Sequence, residues 1–284
     1  MKLIADSGST KTDWCLIDGS NVVWQHQTQG INPVHQKEET VKSILVKELY
    51  GNLSPHEQDV TEVYFYGAGC DEGHADDIRK MLTGIFLHIA ECEVNGDMLA
   101  AARALCGNKE GVACILGTGA NSCLFNGNTI VANVPPLGYI LGDEGSGAVL
   151  GKRFLNGIFK GSLPSELRDL FLQDSGLSYL EIIRKVYQEP MANRFLASLS
   201  LFIGKHLGDY PALESLLVDH FRDFIQKNVA RYERQELPIH AVGSIAWHYR
   251  KQLEQAARTE GYTLGTVLKS PMEGLLAFHG HACP

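Results

Sequence analysis

Two short turns of small polar residues, each following an apolar segment, constrain the fold of this chain more than any other feature. The first turn, residues 6–12, reads Asp-Ser-Gly-Ser-Thr-Lys-Thr, and the second, residues 117–121, reads Gly-Thr-Gly-Ala-Asn. A strand-like segment lies on both sides of each turn, so both are predicted to be β-hairpins. Because the hairpins lie about 110 residues apart, they indicate an internal duplication of one strand-rich unit.

The first turn has the chemistry of a phosphate-binding loop. Its small residues let the backbone come close to a ligand, and its amides, hydroxyls and Lys11 are donors suited to phosphate oxygens. Asp6, at the end of the preceding strand, could hold Mg²⁺ directly or through water. Exposed hairpins are also rich in Gly, Ser, Thr and Asp for reasons of turn geometry alone, so both interpretations stay open at this point. The spacing is neither Walker A nor the dinucleotide-binding pattern.

The size and charge of the chain exclude several classes of function. At 284 residues the chain is long enough for two domains. Its 25 basic and 33 acidic residues give a formal charge of −8 without a basic stripe, which argues against nucleic acid as a partner. No apolar run approaches the roughly 18–20 residues that span a bilayer, and no signal peptide is evident. We therefore expect a cytoplasmic protein without a membrane partner.

The cysteines do not suggest a metal or disulfide framework. The chain has seven of them without a Cys-x-x-Cys pair, and four lie in apolar or strand-like surroundings, so we expect reduced, mostly buried thiols. The tail His279-Gly280-His281-Ala282-Cys283 carries metal-ligand side chains at alternate positions, but terminal His and Cys are more often surface residues.

The spacing of apolar residues predicts an α/β domain in each half of the chain. In the first half we expect strands at 2–6, 13–18, 21–27, 63–66 and 91–94 and helices at 38–49, 75–90 and 98–106. In the second half we expect strands at 112–116, 122–125, 129–131 and 239–242, a helix at 148–159, mostly helical scaffold over 160–235, and helices beginning near 245 and 271. A strand meander followed by alternating strands and helices is typical of an α/β layer architecture.

Two polar residues in the first half are candidates for catalysis or binding. Asp97 lies between a predicted strand and a predicted helix, where it could cap the helix. It could equally take the proton from a substrate hydroxyl that attacks a γ-phosphate. Asn32 precedes Pro33 and could hydrogen-bond a polar ligand, although Asn before Pro is also a common turn residue. The residues alone leave both questions open.

Glycines mark two further candidate regions. Residues 138–147 contain more glycine than the start of a helix requires, and Asp143 and Glu144 lie at that start, where acidic residues are favoured by the helix dipole. Nearer the C-terminus, Gly243 follows a predicted strand and Gly274 lies in the last predicted helix. Glycine at these positions would let a flat ring lie against the backbone, but turn or packing roles explain a single glycine equally well.

Together, residues 6–12, 117–122 and 138–147 resemble motifs of the sugar kinase, hexokinase, Hsp70 and actin superfamily. Within it, the chain is most similar to the N-acetylglucosamine kinases and the related BadF/BadG/BcrA/BcrD-type ATPases. The resemblance covers nearly the whole chain in motif order. It implies an α/β fold of two ribonuclease-H-like domains, 1–110 and 111–284, with an interdomain ATP cleft and a last helix that can pack back on the N-terminal domain.

The resemblance also implies a role for each matching residue. The ATP-binding residues would be Asp6, Gly8, Ser9, Thr10, Lys11, Thr12, Gly117, Thr118, Gly119, Gly243, Ser244 and Gly274, with Asp6 as the Mg²⁺ ligand, directly or through water. Asp97 would be the catalytic base, and Asn32, Asn121 and Asp143 would bind the sugar. The chain departs from the family where Ser7 and Ser9 replace glycines and Ala120 replaces a frequent Ser; these changes are compatible with ATP binding.

The implied activity is transfer of the γ-phosphate of ATP to a hydroxyl of an amino sugar, of the N-acetylglucosamine or N-acetylmuramic acid type, with Mg²⁺ as cofactor. Glucosamine itself is an alternative substrate. A second alternative is an ATPase that acts on a protein partner, such as the activator of a radical dehydratase, but the cysteines lack a convincing spacing for its iron–sulphur cluster. A sugar-responsive regulator without catalysis is disfavoured by the presence of Asp97. A homodimer is compatible with the resemblance.

Overall fold

The computed structural model describes residues 1–8, 10–70 and 73–280. The chain divides into two compact units, and each has its own mixed sheet. The first unit comprises Met1–Asn108 and the segment from Pro271 onward, and the second is Lys109–Ser270. Among the described residues, every helix is too short or too polar to cross a membrane.

The first unit is built on a five-stranded sheet. Its strands are β1 (Lys2–Ser7), β2 (Lys11–Asp18), β3 (Asn21–Gln29), β4 (Glu62–Gly67) and β5 (Glu91–Gly96), in the order β3-β2-β1-β4-β5. Strands β1 to β3 form the predicted antiparallel meander, whereas β4 and β5 run parallel to β1. Because the three parallel strands end at the same edge, residues that follow them are brought together there.

Helices of the first unit connect strands of this sheet, and one helix follows its last strand. Helix α1 (Glu38–Ser43) continues through a wider, π-helical segment (Ile44–Leu49), and α2 (Ala75–Ile85) and α3 (Asp97–Cys106) precede and follow β5. The predicted helix 75–90 is too long, since α2 ends at Ile85. Phe86 there adopts an extended backbone and is buried beside Tyr50, with the ring centroids 5.7 Å apart. The gain from burying this aromatic ring outweighs the local helical periodicity.

The second unit repeats the same sheet. Its strands are β6 (Glu110–Leu116), β7 (Ala120–Asn126), β8 (Ile130–Asn133), β9 (Ile239–Val242) and β10 (Leu264–Leu268), in the order β10-β9-β6-β7-β8. Strands β6 to β8 are antiparallel, and β9 and β10 run parallel to β6. When β6 to β10 are matched in sequence order to β1 to β5, the two sheets have the same strand order and connectivity. This shared connectivity confirms the internal duplication.

A layer of helices lies between β8 and β9 in sequence and confirms the predicted helical scaffold. These helices are α4 (Gly138–Leu141), α5 (Gly147–Lys160), α6 (Ser165–Ser175), α7 (Tyr179–Tyr187), α8 (Ala192–Ser198), α9 (Ser200–His206) and α10 (Pro211–Lys227). Helices α11 (Ser244–His248) and α12 (Arg250–Thr259) follow β9. The core includes three mutually packed aromatic rings, Phe154, Phe171 and Phe202, whose centroids lie 5.2–5.5 Å apart.

The last helix, α13 (Met272–Gly280), belongs to the first unit. Its Leu275 is fully buried in a cluster with Ile4, Tyr66 and Ala100. Its buried His279 accepts or donates a hydrogen bond of 2.8 Å with the Tyr66 hydroxyl and stacks on the Tyr64 ring. His279 is therefore part of a packed interior and not of a surface metal site, and the remainder of the predicted tail motif, His281 to Cys283, lies outside the described residues.

Candidate active site

In the first unit, Asp6 and Asp97 lie at the edge where the parallel strands end. The strand register pairs Asp6 of β1 with Tyr66 of β4, and Tyr66 in turn with Asn95 of β5. Asp97 follows two residues later as the first residue of α3. Two carboxylates distant in sequence are thereby placed close enough to influence each other's charge.

The first hairpin turn is held by hydrogen bonds between its own strands. The Gly8 amide donates to the Lys11 carbonyl at 3.0 Å. The hydroxyls of Ser7 and Thr12 lie 2.7 Å apart, and Thr12 is completely buried. Thr12 therefore supports the turn, and its contact with ATP stays a prediction.

Three members of the first motif have accessible positions. Gly8 and Thr10 are exposed, and the Thr10 carbonyl accepts a bond from the Gly30 amide at 3.0 Å. Lys11 is exposed at the start of β2, where its ammonium group lies 2.8 Å from the Asp13 carboxylate. Ser9 lies outside the described residues. The turn thus presents backbone and one cationic side chain, as a phosphate loop requires.

The carboxyl of Asp6 has an unusual environment. Its pKa is raised to about 7, chiefly by burial and in addition by the neighbouring carboxylates of Asp13 and Asp97, while Lys11 opposes the rise. Burial likewise raises the pKa of Asp97, although the amides of Met98 and of Asp97 itself stabilise the ionised form. Negative charge therefore accumulates at this edge without full compensation.

This environment fits a hard divalent cation. Carboxylate oxygen is a preferred ligand of Mg²⁺, which often takes only one or two protein ligands and completes its shell with phosphate and water. Within residues 1–8, 10–70 and 73–280, no group of three or more metal-ligating side chains occurs. A cation bound by Asp6 would therefore depend on phosphate and water for most of its other ligands.

Asp13 is a member of this site that sequence reasoning missed. It lies directly opposite Asp6 in the β1–β2 pair and accepts a bond from the Gln27 amide at 2.7 Å. Its place could have been found from the hairpin register, because cross-strand partners are fixed once the turn is known.

Asn32 has the local bonds of a turn residue. Its side-chain oxygen accepts a bond from the Val34 amide at 3.0 Å, and its own amide donates to the Gln36 side chain at 2.8 Å. Gly69, with φ +78°, packs against this side chain, where a Cβ would lie 2.7 Å from Oδ1. Asn32 is rigidly placed next to the end of β4, and its sugar contact stays a prediction.

In the second unit, the turn 117–119 is tied to the start of α5. The Gly117 amide donates to the Gly119 carbonyl at 3.0 Å. The amides of Gly147 and Ala148 donate to the carbonyls of Gly117 and Thr118 at 2.8 and 3.2 Å. The side chain of Thr118 is exposed. The carbonyls of the second turn are therefore bonded by the N-terminus of α5, while the Thr118 side chain stays accessible.

Asp143 lies over this turn. A Cβ on Gly119 would come within 3.2 Å of the Asp143 carboxylate, so glycine allows the two segments to approach. Burial raises the pKa of Asp143, and a hydrogen bond from the Ala120 backbone counteracts the shift. The nearby Asn121 uses its side-chain oxygen to accept bonds of 2.9 Å from the Ser122 amide and the Asn133 side chain. The structure brings Gly119, Asn121 and Asp143 together.

Gly243 also belongs to this edge of the second sheet. Its φ of +123° is rarely adopted by other residues, and a Cβ there would overlap the carbonyl oxygen of Leu116, the residue before the second turn. Ser244 begins α11 and is exposed. The predicted adenosine motif thus lies beside the predicted phosphate turn within one unit.

Gly274 is explained by packing within the first unit. A Cβ at this position would overlap the carbonyl oxygen of Ala104, so its absence lets α13 approach α3 closely. A role for Gly274 in binding ATP stays a prediction.

The two five-stranded mixed sheets define the class of the protein, the two-domain actin-like fold of sugar kinases. The most informative solved structure is a protein of Porphyromonas gingivalis that is proposed to be an N-acetylglucosamine kinase. It is 51% identical to this chain over 99% of both chains, with a TM-score of 0.94. The chain therefore belongs to the sugar kinase family of which this Porphyromonas protein is a member.

More distant structures share the fold. A protein of Chromobacterium violaceum, also proposed to be an N-acetylglucosamine kinase, is 16% identical over 98% of both chains, with a TM-score of 0.73. The ROK hexokinase of Thermus thermophilus is 15% identical over 97% of both chains, with a TM-score of 0.54. No protein-family model and no curated protein matched the chain.

Proposed function

We propose that this protein is an ATP-dependent kinase that phosphorylates a hydroxyl of an amino sugar of the N-acetylglucosamine or N-acetylmuramic acid type. The observation that carries the proposal is the placement of Asp97 at the carboxyl edge of the first sheet beside Asp6, with a raised pKa. The family relationship to the Porphyromonas protein supports the choice of a sugar as acceptor.

The chemistry follows from these residues. A carboxylate whose pKa is raised is a stronger base, so ionised Asp97 can accept the proton of the sugar hydroxyl as its oxygen attacks the γ-phosphorus. The bond from that phosphorus to the bridging oxygen breaks, and ADP leaves with the electron pair. The turns at 8–10 and 117–119 would hold phosphate oxygens through the amides that the Gly8–Lys11 and Gly117–Gly119 bonds leave available. Mg²⁺, held by Asp6 when bound, would neutralise phosphate charge.

Three residues would select and orient the sugar. Asn32 has its side chain fixed by the Val34 amide, and Asn121 by Asn133 and Ser122. Asp143 adds a carboxylate that accepts hydrogen bonds from sugar hydroxyls or an amide nitrogen. Side chains already locked by packing lose little conformational entropy when a ligand binds.

The decisive experiment measures ADP release with Mg-ATP. The acceptors are N-acetylglucosamine, N-acetylmuramic acid, glucosamine, N-acetylmannosamine, glucose and no sugar. We expect one of the two proposed acceptors to stimulate turnover strongly. Equal hydrolysis with and without every sugar would contradict the kinase and would favour the alternative, an ATPase of the BadF type that acts on a protein partner. Stimulation by glucosamine alone would replace the proposed substrate with the amine.

A further inference from the structure

His220, in the middle of α10, has a buried ring that makes no regular hydrogen bond. The residue is completely buried, and neither ring nitrogen has a partner in the part of the chain that the structure describes. Burying a polar group without a partner costs free energy, and such groups are rare in folded proteins. An apolar side chain of similar size would pack here without that cost. The imidazole at this position therefore suggests a function for its N–H group.

The face of α10 that carries His220 packs along the segment 142–147, which is called here the glycine-rich loop. Residues 220, 224 and 227 lie on successive turns of one helical face. Lys227 at one end of this stripe bonds Glu144 at 3.3 Å. In the middle, Phe224 contacts Gly145 so closely that a Cβ there would lie 2.9 Å from its ring. His220 is the third member of the stripe.

The loop backbone lies close to the His220 ring. Burial, assisted by the Arg153 guanidinium, lowers the pKa of His220 to about 3, whereas the backbone of Gly145 and Ser146 and the Asp223 carboxylate oppose the shift. Backbone atoms that favour a protonated ring must be acceptors, so they are carbonyl oxygens. The ring is neutral and carries one N–H, for which these two loop carbonyls are candidate acceptors.

The loop itself connects the elements of the second unit that the proposed function uses. It contains Asp143, and its Ser146 caps α5 by accepting a bond from the Val149 amide at 3.1 Å. Its Gly147 amide donates to Gly117 of the second turn. A small displacement of the loop therefore moves a predicted sugar ligand and a predicted phosphate turn together.

We propose that His220 is a positioning residue: its ring N–H, which has no regular partner among the described residues, bonds the carbonyl of Gly145 or Ser146 when the glycine-rich loop is in its sugar-binding shape and holds the loop there. The proposal rests on the proposed function for the role of Asp143. His220 touches neither sugar nor nucleotide in this scheme. Its contribution appears in sugar affinity and in loop stability.

The test replaces His220 with leucine, which keeps the volume and removes the donor. His206 provides the matched control, because its Nε2 is also buried without a partner in the described chain, at the end of α9. We expect His220→Leu to raise the KM for the sugar about tenfold while kcat and the KM for ATP change less than about twofold. His206→Leu should leave all three unchanged.

A second readout does not depend on activity. Hydrogen exchange of the Ser146 and Gly147 amides, which donate to Asp143 and Gly117 at 3.0 and 2.8 Å, reports the order of the loop. We expect exchange at least about fivefold faster in His220→Leu than in the wild type or in His206→Leu. His220→Gln, which keeps an N–H donor, should restore part of both effects. His220→Met, which also lacks a donor, takes the place of the leucine variant if that variant does not fold.

The outcomes separate the two proposals. Unchanged loop exchange together with an unchanged sugar KM in a folded His220→Leu protein would overturn the role of His220. If the wild type shows no sugar-dependent turnover, the proposed function fails, and the exchange rates alone decide whether His220 holds the loop.

Discussion

Asp97 combines a position at a helix start with a position at the sheet edge. It is the first residue of α3, directly after the N-cap Gly96, and the amides of Met98 and of Asp97 itself stabilise its carboxylate. The same position, at the end of β5, directs a partly buried carboxylate toward the edge where Asp6 lies. A cap needs no raised pKa, so the burial of Asp97 is the feature that favours a base.

The Asp97→Asn variant tests this role. Asparagine keeps the shape and can still accept a hydrogen bond, but it cannot accept a proton, so we expect kcat to fall about 10²–10⁴-fold. The dissociation constant for Mg-ATP should change by less than about threefold. Asp18→Asn, an exposed substitution at the end of β2 with the same change of charge, is the control and should keep full activity. Undiminished turnover by Asp97→Asn would contradict the assignment.

The pKa of His279 predicts a specific loss of stability in acid. Burial, assisted by Arg103, lowers this pKa from the ordinary 6.5 to about 4. Between these pH values the unfolded chain binds a proton that the folded chain does not, so the free energy of unfolding falls as pH falls through this window and recovers as pH rises. The full contribution is roughly 3 kcal/mol.

The comparison with His279→Gln isolates this effect from other titrating groups. Urea unfolding followed by tryptophan fluorescence at several pH values gives the difference in free energy between wild type and variant. Between about pH 7.5 and pH 4, we expect the free energy of unfolding of the wild type to fall by roughly 3 kcal/mol relative to that of His279→Gln. A difference that does not depend on pH would show that His279 is not a buried neutral imidazole.

At the level of elements, the α3–α13 contact depends on one missing side chain. Gly274→Ala would place a methyl group against the Ala104 carbonyl, which is backbone and cannot rotate away. We expect a loss of about 1–3 kcal/mol in the free energy of unfolding. Gly84→Ala, in α2 with no atom within 4 Å of the new Cβ, is the matched control.

The two alanine variants should differ in sign. In the open position at 84, alanine improves helix propensity and should stabilise by up to about 1 kcal/mol. Chemical denaturation of both variants and the wild type measures the effect. Equal stability of Gly274→Ala and the wild type would mean that α13 does not pack on α3 as closely as described.

At the level of the whole molecule, the duplicated fold has diverged in its chemistry. In the first unit, β5 is followed directly by Asp97 and α3. In the second unit, the corresponding strand β10 is followed by Lys269, Ser270 and Pro271, and the next helix, α13, belongs to the first unit. The carboxylate that we propose as base is therefore present in only one of the two repeats.

Ligand binding should stabilise the folded chain as a whole. A ligand that binds only the folded state raises the free energy of unfolding by about 2.7 kcal/mol at 100 times its Kd. We therefore expect the Tm to rise by several degrees with a non-hydrolysable ATP analogue and Mg²⁺. Asp6→Asn should lose the part of this increase that depends on Mg²⁺. A Tm that does not respond to millimolar nucleotide would contradict ATP binding.

The sequence by itself determined the features that depend on short windows. The hairpin turns, the strand meanders and most helices follow from local propensity and periodicity, and two similar windows revealed the duplication before any contact was known. The motifs in those windows also indicated the family. The end of α2 was missed because the burial of Phe86 is a tertiary effect.

Only the tertiary structure decided which distant residues meet. Asp6 and Asp97 are brought to one edge by parallel pairing across β4, and Asp13 joins them through the hairpin register. His220 lies close to the glycine-rich loop, which is about 75 residues earlier in the chain, and Gly274 packs against α3. Such contacts depend on how buried surfaces fit together, and no window of sequence contains both partners.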